Sequence, residues 1–145
     1  MPHEGHDIAV ADAHVLLVED NPVNTLVAEA ALKQLGLRVT AVDSGEAALV
    51  WLNKHRTDTI FMDCEMPGLD GIQTTRQIRA LERTTGCDAI PIIAMTANGR
   101  DTYEQRCIPA GMNDYLSKPF GPEALRAVVA RQVRRARQPE SAAAG

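Results

Sequence analysis

Short runs of apolar residues alternate along the chain with longer segments in which apolar residues recur at helical spacing. The first run, Val15 to Val18, is apolar on both faces, which is typical of a strand buried in a parallel sheet. Similar runs follow at residues 37–42, 59–62, 90–95 and 114–117. Five strand–helix units in succession predict an α/β domain, with a parallel sheet and helices on both of its faces.

Residues typical of helix ends mark the segments between these runs. Asn21 and Pro22 predict the start of the first helix, which should end at Leu35. Capping-box spacing precedes the second and third helices, at Asp43–Glu46 and Asp70–Gln73. These signals place a helix after each of the first three strands.

The last two helices have different sequence patterns. Residues 100–110 are polar and only weakly periodic, and we predict the fourth helix there. Pro122 opens the fifth helix, which carries Leu125, Val128 and Val129 on one apolar face.

Length and composition fit one globular domain. The chain has 145 residues, of which 45% are apolar and only 3% aromatic, so the core should consist mainly of aliphatic side chains. Residues 1–12 and 137–145 are predicted to be tails around a domain of residues 13–136. The net charge of −4 and the scarcity of aromatic residues argue against a nucleic-acid-binding surface.

The sequence carries no pattern typical of secreted or membrane proteins. Cys64, Cys87 and Cys107 have no metal-ligand spacing and are expected to be free thiols in a reducing compartment. Residues 1–12 lack the basic and apolar regions of a signal peptide, and no stretch reaches the roughly 20 apolar residues of a membrane span. We therefore expect a cytoplasmic domain without membrane contact.

Polar residues that could take part in chemistry directly follow the first, third, fourth and fifth predicted strands. They are Glu19, Asp20, Asp63, Thr96 and Lys118. The carboxyl ends of parallel strands lie at one edge of the sheet, and α/β proteins bind ligands at that edge. These side chains are therefore expected to converge.

The chemistry of this set favours phosphoryl transfer. Three clustered carboxylates repel one another unless a cation binds or one of them takes a proton. Oxygen ligands without His or Cys suit Mg²⁺. Lys118 can pair with a carboxylate or a phosphoryl oxygen, and the Thr96 hydroxyl can donate to such an oxygen. An aspartate in these surroundings is a plausible nucleophile for a phosphoryl group.

Each of these residues also has a simpler interpretation when it is taken alone. Asp20 and Asp63 are common helix caps or turn residues. Lys118 and Glu19 could be solvated surface charges, and Thr96 could simply end a strand. The functional interpretation depends on the whole set lying together.

Four stretches of the sequence resemble the receiver domains of two-component response regulators. They are LLVEDNPVN, FMDCEMPGLDG, PIIAMTAN and GMNDYLSKPF, which follow the family's order and cover about residues 13–136. They are most similar to receivers of hybrid sensor histidine kinases and phosphorelays. The resemblance implies a flavodoxin-like, doubly wound fold with five parallel strands in the order 2-1-3-4-5 and five helices.

The resemblance also implies how the acidic residues function. Asp63 is similar to the phosphoacceptor, and it would be a metal ligand as well. Asp20 is similar to the direct Mg²⁺ ligand, with Glu19 acting on the metal through water. Glu65 matches the residue whose backbone carbonyl binds the metal.

Other positions match the residues that hold the phosphoryl group and respond to it. Thr96 and Lys118 would hold the group, and Ala97 would leave room for it. Tyr115 matches the aromatic switch position, although a half-buried strand residue is its simpler interpretation. The Lys118–Pro119 bond is expected to be cis. Phosphorylation is expected to shift the face formed by the fourth helix, the fifth strand and the fifth helix.

The partners implied by the resemblance are a sensor histidine kinase, a histidine phosphotransfer protein, or both. The domain would take its phosphoryl group from a phosphohistidine and could pass it on to a phosphotransfer protein. We expect a monomer or a weak dimer that is not itself an enzyme. The sequence leaves open whether it is a stand-alone regulator or a part of a hybrid kinase.

Two other functions are weighed against this one. Phosphatases of the haloacid dehalogenase class also use Asp, Mg²⁺, Thr and Lys, but they need a second Asp where Glu65 stands and a longer chain for a substrate cap. A pseudo-receiver that only binds partners would not need the complete set of site residues.

Overall fold

A computed structural model describes residues 12–136, so the predicted tails, apart from Asp12, lie outside the described residues. Its five strands are β1 (His14–Val18), β2 (Arg38–Val42), β3 (Thr59–Asp63), β4 (Ile92–Thr96) and β5 (Asp114–Ser117). They form one parallel sheet in the order β2-β1-β3-β4-β5. The predicted topology is therefore confirmed.

Five helical segments connect and follow the strands. They are α1 (Pro22–Gln34), α2 (Gly45–Leu52), α3 (Gly71–Thr85), α4 (residues 99–110) and α5 (Pro122–Ala136). The weakly patterned α4 consists of α-helical Gly99–Thr102, π-helical Tyr103–Cys107 and a last α-helical turn, Ile108–Ala110. The predicted number of helices is confirmed, and the interruption within α4 was not predicted.

Two of the three predicted helix caps are confirmed. Asn21 accepts hydrogen bonds from two backbone N–H groups in the first turn of α1, and Asp70 and Gln73 form a capping box at α3. The prediction at Asp43 is wrong, because α2 begins one residue later. Ser44 is its N-cap, and the Ser44 hydroxyl accepts a backbone N–H at 3.0 Å.

Apolar side chains of the strands alternate between two cores, one on each face of the sheet. Phe61 of β3 packs on the face covered by α1 and α5, where Leu32 and Leu125 are also buried. Its neighbours Ile60 and Met62 pack on the opposite face, which α2, α3 and α4 cover. Fully burying one such side chain contributes about 1.5–3 kcal/mol. With both faces covered, the polar site residues lie at the carboxyl ends of the strands.

No helix within residues 12–136 has both the length and the apolar character needed to cross a membrane.

Candidate functional site

Three carboxylates meet at the carboxyl ends of the adjacent strands β1 and β3. Asp63 is the last residue of β3, and Glu19 and Asp20 directly follow β1. One oxygen from each carboxylate lies within 4.8 Å of the others. Glu19 is 3% exposed and Asp63 1% exposed, and Asp20 is more accessible than either. Glu19 is therefore not an exposed surface acid, and the cluster offers the oxygen ligands that suit a divalent cation such as Mg²⁺.

Lys118 brings its ammonium group to this cluster from the end of β5. Its Nζ donates to Asp63 Oδ1 at 2.9 Å and to Glu19 Oε1 at 3.2 Å. The bond between Lys118 and Pro119 is cis, as predicted. The interpretation of Lys118 as a solvated charge is therefore wrong, because its head group pairs with two buried carboxylates.

The pKa values of the paired acids Asp63 and Glu19 are shifted in opposite directions, because burial dominates at Asp63 and hydrogen bonds dominate at Glu19. Burial, reinforced by the hydrogen bond and the charge of Glu19, raises the pKa of Asp63 to about 7 against the opposing effect of Lys118. Burial would also raise the pKa of Glu19, but hydrogen bonds from Asp63, the Asn21 N–H and Lys118 lower it overall. The pair behaves as a site with excess negative charge, and a bound cation would relieve that excess.

Asp63 is held in place by its own loop as well as by Lys118. The backbone N–H of Glu65 donates to Asp63 Oδ1 at 3.1 Å. Gly71, at the start of α3, packs so closely on the Asp63 carbonyl that a Cβ there would collide with it. This close contact explains why glycine stands at the end of the FMDCEMPGLDG stretch.

Thr96 lies at the end of β4, the strand next to β3, and is fully buried. Its hydroxyl donates to Glu65 Oε2 at 3.1 Å and accepts the Asn98 N–H at 3.1 Å. Ala97 lies between Thr96 and Asn98, on an exposed turn. The hydrogen bond between the Glu65 carboxylate and Thr96 was not predicted from the sequence. The position of Glu65, two residues after Asp63, was the only feature that pointed to this residue.

Tyr115 lies in the middle of β5 and is half-buried, as its simpler interpretation predicts. Its ring stacks on that of Tyr103, with the centroids 4.8 Å apart. Tyr103 belongs to the π-helical part of α4. This aromatic pair therefore connects β5 directly with α4, and no pattern in the sequence points to Tyr103.

The cysteines near the site are packed rather than reactive. Cys64, directly after Asp63, is buried with its Sγ 3.5 Å from that of Cys107 in α4. Burial raises the pKa of both thiols. These side chains belong to the core beneath the site.

Comparison with known proteins gives one consistent family. Residues 15–130 match the family of the response regulator receiver domain. Histidine kinase 2 of Arabidopsis thaliana is 41% identical over an alignment that covers 83% of this chain. The alignment covers only 12% of that relative, so the chain corresponds to a small part of it.

Solved structures agree with this family. The receiver domain of sensor histidine kinase PA1611 from Pseudomonas aeruginosa PAO1, which holds a magnesium ion in its active site cleft, is 47% identical with a TM-score of 0.75. The match covers 85% of this chain and 98% of that one. A chain in the co-crystal structure of the Saccharomyces cerevisiae phosphotransfer protein Ypd1 with the receiver domain of Ssk1 is 29% identical, with a TM-score of 0.78 and coverage of 84% and 89%.

The family match covers most of the chain, and the sheet order is the one that the resemblance implies. Acidic residues, a threonine and a lysine also follow the strands at the carboxyl edge of the sheet. This chain therefore belongs to the response regulator receiver domain family of two-component signalling.

Proposed function

We propose that the domain accepts a phosphoryl group on Asp63 from a phosphohistidine, with Mg²⁺ bound at the acidic cluster. The observation that carries this proposal is the meeting of three carboxylates with the Lys118 ammonium group at one edge of the sheet. Asp20 and Asp63 would ligate the metal directly, Glu19 would act through water, and the backbone carbonyl of Glu65 would complete the protein ligands.

In the transfer step, an Asp63 carboxylate oxygen attacks the phosphorus atom of the phosphohistidine. A phosphorus–oxygen bond forms, the phosphorus–nitrogen bond breaks, and its electron pair stays on the nitrogen of the departing imidazole, which takes up a proton from water. Bound Mg²⁺ would neutralise the charge on the phosphoryl oxygens. Lys118 would move from the carboxylate to a phosphoryl oxygen, and Thr96 would donate its hydroxyl proton to another.

We infer that the phosphodonor docks over α1. Val23, Leu26 and Val27 on this helix are each more than 60% exposed. Val27 also lines a depression that continues to Lys118 and Phe120. An apolar surface that adjoins the acceptor suits a helix that carries a histidine, from a sensor kinase or a phosphotransfer protein.

Phosphorylation would then change the surface formed by α4, β5 and α5. Thr96 can donate to the phosphoryl group only if its hydroxyl leaves Glu65, and its loop would move with it. Tyr115 could then turn toward the vacated space, which requires it to separate from Tyr103. The shift in population depends on how much better the phosphoryl group binds the rearranged state.

We further propose that the domain does not act as a phosphatase on external substrates. The alternative enzyme needs an aspartate as general acid two residues after the nucleophile, and here that position holds Glu65. The Glu65 carboxylate accepts the hydroxyl proton of Thr96. It is therefore engaged within the chain rather than directed toward a substrate.

Incubation with acetyl phosphate and Mg²⁺ tests the proposal. Intact-mass spectrometry should detect a gain of one phosphoryl group in the wild-type chain, no gain in Asp63→Asn, and no gain with a chelator present. Asp88→Asn, an exposed control with the same change of charge, should be modified like the wild type. Equal modification of Asp63→Asn would refute the proposal.

A further inference from the structure

We propose that the Glu65 carboxylate is an internal competitor of the phosphoryl group for the hydroxyl of Thr96, and that it thereby restrains the phosphorylated state. This inference rests on the proposed function of Asp63. It gives the Glu65 side chain a positioning role in addition to the backbone contact proposed above.

The competition follows from the hydrogen bonds of Thr96. Its hydroxyl has one proton, which it donates to Glu65 Oε2 at 3.1 Å. The Asn98 N–H occupies a lone pair of the same oxygen, at 3.1 Å. A phosphoryl oxygen on Asp63 could receive the Thr96 proton only if Glu65 gave it up.

The backbone places the competitor between the acceptor and the threonine. The Glu65 N–H donates to Asp63 Oδ1 at 3.1 Å, while its carboxylate reaches the end of β4. In the sheet register Asp63 lies opposite Met95, the neighbour of Thr96. One residue therefore contacts both the proposed phosphoacceptor and the proposed phosphoryl-binding hydroxyl.

Charge makes this competition stronger. A hydrogen bond to a carboxylate is roughly twice as strong as one between neutral groups. A phosphoryl group adds about −1.5 to −2 charges beside the negative Glu65 side chain. Glu65 is exposed as a residue, so its carboxylate has a path into solvent once Thr96 turns away. Breaking the Thr96–Glu65 bond is then part of the cost of phosphorylation.

Two substitutions separate the charge of Glu65 from its acceptor oxygen. Glu65→Gln keeps a neutral acceptor of the same size, and Glu65→Ala removes the acceptor altogether. With beryllofluoride and Mg²⁺ as the phosphoryl mimic, we expect calorimetry to show about tenfold tighter binding for Glu65→Ala, the effect of one charge-assisted hydrogen bond. The affinity of Glu65→Gln for the mimic should lie between those of Glu65→Ala and the wild type.

Glu123→Ala is the matched control, because it removes an exposed acid from the first turn of α5. Its affinity for the mimic should stay within about twofold of the wild type, since a distant exposed charge is screened. Urea denaturation should give Glu123→Ala an unfolding free energy near that of the wild type and Glu65→Ala a somewhat lower one, because the buried Thr96 hydroxyl loses its acceptor.

A Thr96→Val background tests the competition itself. Without the hydroxyl, Glu65→Ala should give little gain in affinity for the mimic. The Asn98 amide resonance should also shift in unbound Glu65→Ala, because its acceptor Thr96 changes partner. If Glu65→Ala raises the affinity for the mimic equally with and without the Thr96 hydroxyl, the gain comes from reduced charge repulsion alone. That result would overturn the inference.

The two proposals fail in different ways. A wild-type chain that does not bind beryllofluoride with Mg²⁺ would contradict the proposed function of Asp63 and remove the basis of the inference. A wild-type chain that binds the mimic, with Glu65→Ala binding it equally or more weakly, would overturn the role of Glu65 alone.

Discussion

At the residue scale, the functional site contains two buried carboxylates that share the ammonium group of Lys118. Its Nζ lies 2.9 Å from Asp63 Oδ1 and 3.2 Å from Glu19 Oε1. One positive charge does not neutralise both acids, and Asp20 adds a third carboxylate nearby. The site without a metal should therefore destabilise the fold, and a bound cation should reverse this effect.

Asp63→Asn is expected to stabilise the protein in the absence of divalent cations. The substitution removes a buried negative charge next to Glu19 and leaves Lys118 paired with that residue. The free energy of unfolding in urea with a chelator present should rise by about 2 kcal/mol, and Mg²⁺ should then add less stability than it adds to the wild type. Asp88→Asn should leave both quantities near their wild-type values. A less stable Asp63→Asn variant would contradict this account of the site.

His14, at the start of β1, should make stability depend on pH. Its ring nitrogens lie 2.8 Å from the hydroxyls of Thr57 and Thr40, and burial, together with the charge of Arg38, lowers its pKa against the opposing charge of Asp58. The unfolded chain then binds the proton more readily than the folded chain. The contribution of His14 to the unfolding free energy should therefore fall as the pH drops below about 6.5, the pKa of an unperturbed histidine. The raised pKa of Asp63 acts in the opposite direction, so the effect of His14 is the difference between the wild type and a His14 variant.

The His14→Gln variant checks this dependence. Urea denaturation followed by circular dichroism should show a smaller loss of stability in this variant than in the wild type between neutral pH and about pH 5.5. His55→Gln, which changes an exposed histidine on the other side of Trp51, should retain the wild-type dependence. Identical pH profiles for the wild type and His14→Gln would exclude His14 as the source.

At the element scale, α4 combines an irregular backbone with one firmly held end. A π-helical stretch, Tyr103–Cys107, interrupts the helix, and such interruptions often occur at functional sites. At its carboxyl end, Arg79 of α3 donates to the Gly111 carbonyl at 2.8 Å and to Asn113 Oδ1 at 2.8 Å. Rearrangement of α4 is therefore expected at its amino-terminal part, next to Thr96.

Binding of a phosphoryl mimic should be visible along α4 and β5. We expect amide NMR with and without beryllofluoride and Mg²⁺ to show shifts across residues 97–117 and in α5. The reason is that Thr96 ends the strand that pairs with β5, and Tyr115 of β5 stacks on Tyr103 of α4. The shifts at the Arg79 end of α4 should be the smaller ones. Shifts confined to the metal site, with residues 97–117 unmoved, would contradict the switch.

Arg79→Met should destabilise the fold without abolishing phosphorylation. Arg79 also pairs with Glu82, whose carboxylate is only 10% exposed, at 2.8 Å. Without the guanidinium group, this acid loses its charged partner, and the unfolding free energy should fall by about 3 kcal/mol. Adding Glu82→Gln should restore part of the loss, because the neutral amide can still accept the Ile90 N–H. If the double variant is no more stable than Arg79→Met, the loss of stability comes from the missing hydrogen bonds of Arg79 to Gly111 and Asn113 and not from the unpaired charge of Glu82.

At the scale of the whole molecule, the parallel sheet could be predicted because five apolar runs alternate with segments of helical pattern, whereas the strand order was implied by the resemblance. The predicted ends of the strands were less accurate. β4 begins at Ile92 rather than at Ile90, because Pro91 has no backbone N–H to donate to a neighbouring strand. The capping-box spacing from Asp43 to Glu46 predicts Asp43 as the cap of α2, but Ser44, an equally suitable capping residue one position later, is the N-cap.

The contacts between side chains of different loops could not be predicted in the same way. The bond between Thr96 and Glu65 depends on how two loops end at the sheet edge, and the Tyr103–Tyr115 stack depends on the π-helical turn in α4. Neither leaves a periodic signal in the sequence. The resemblance supplied the candidate site residues, and the structure adds the partners that hold Asp63, Lys118 and Thr96 in place.

The proposed function requires that Asp63 is the residue that carries the phosphoryl group. The most direct test is to treat the protein with acetyl phosphate and Mg²⁺, reduce the acyl phosphate with borohydride, and locate the resulting homoserine by peptide mass spectrometry. We predict conversion at position 63 alone, and none when Mg²⁺ is removed. Homoserine at Asp20 or another acid, with position 63 unmodified, would contradict the account.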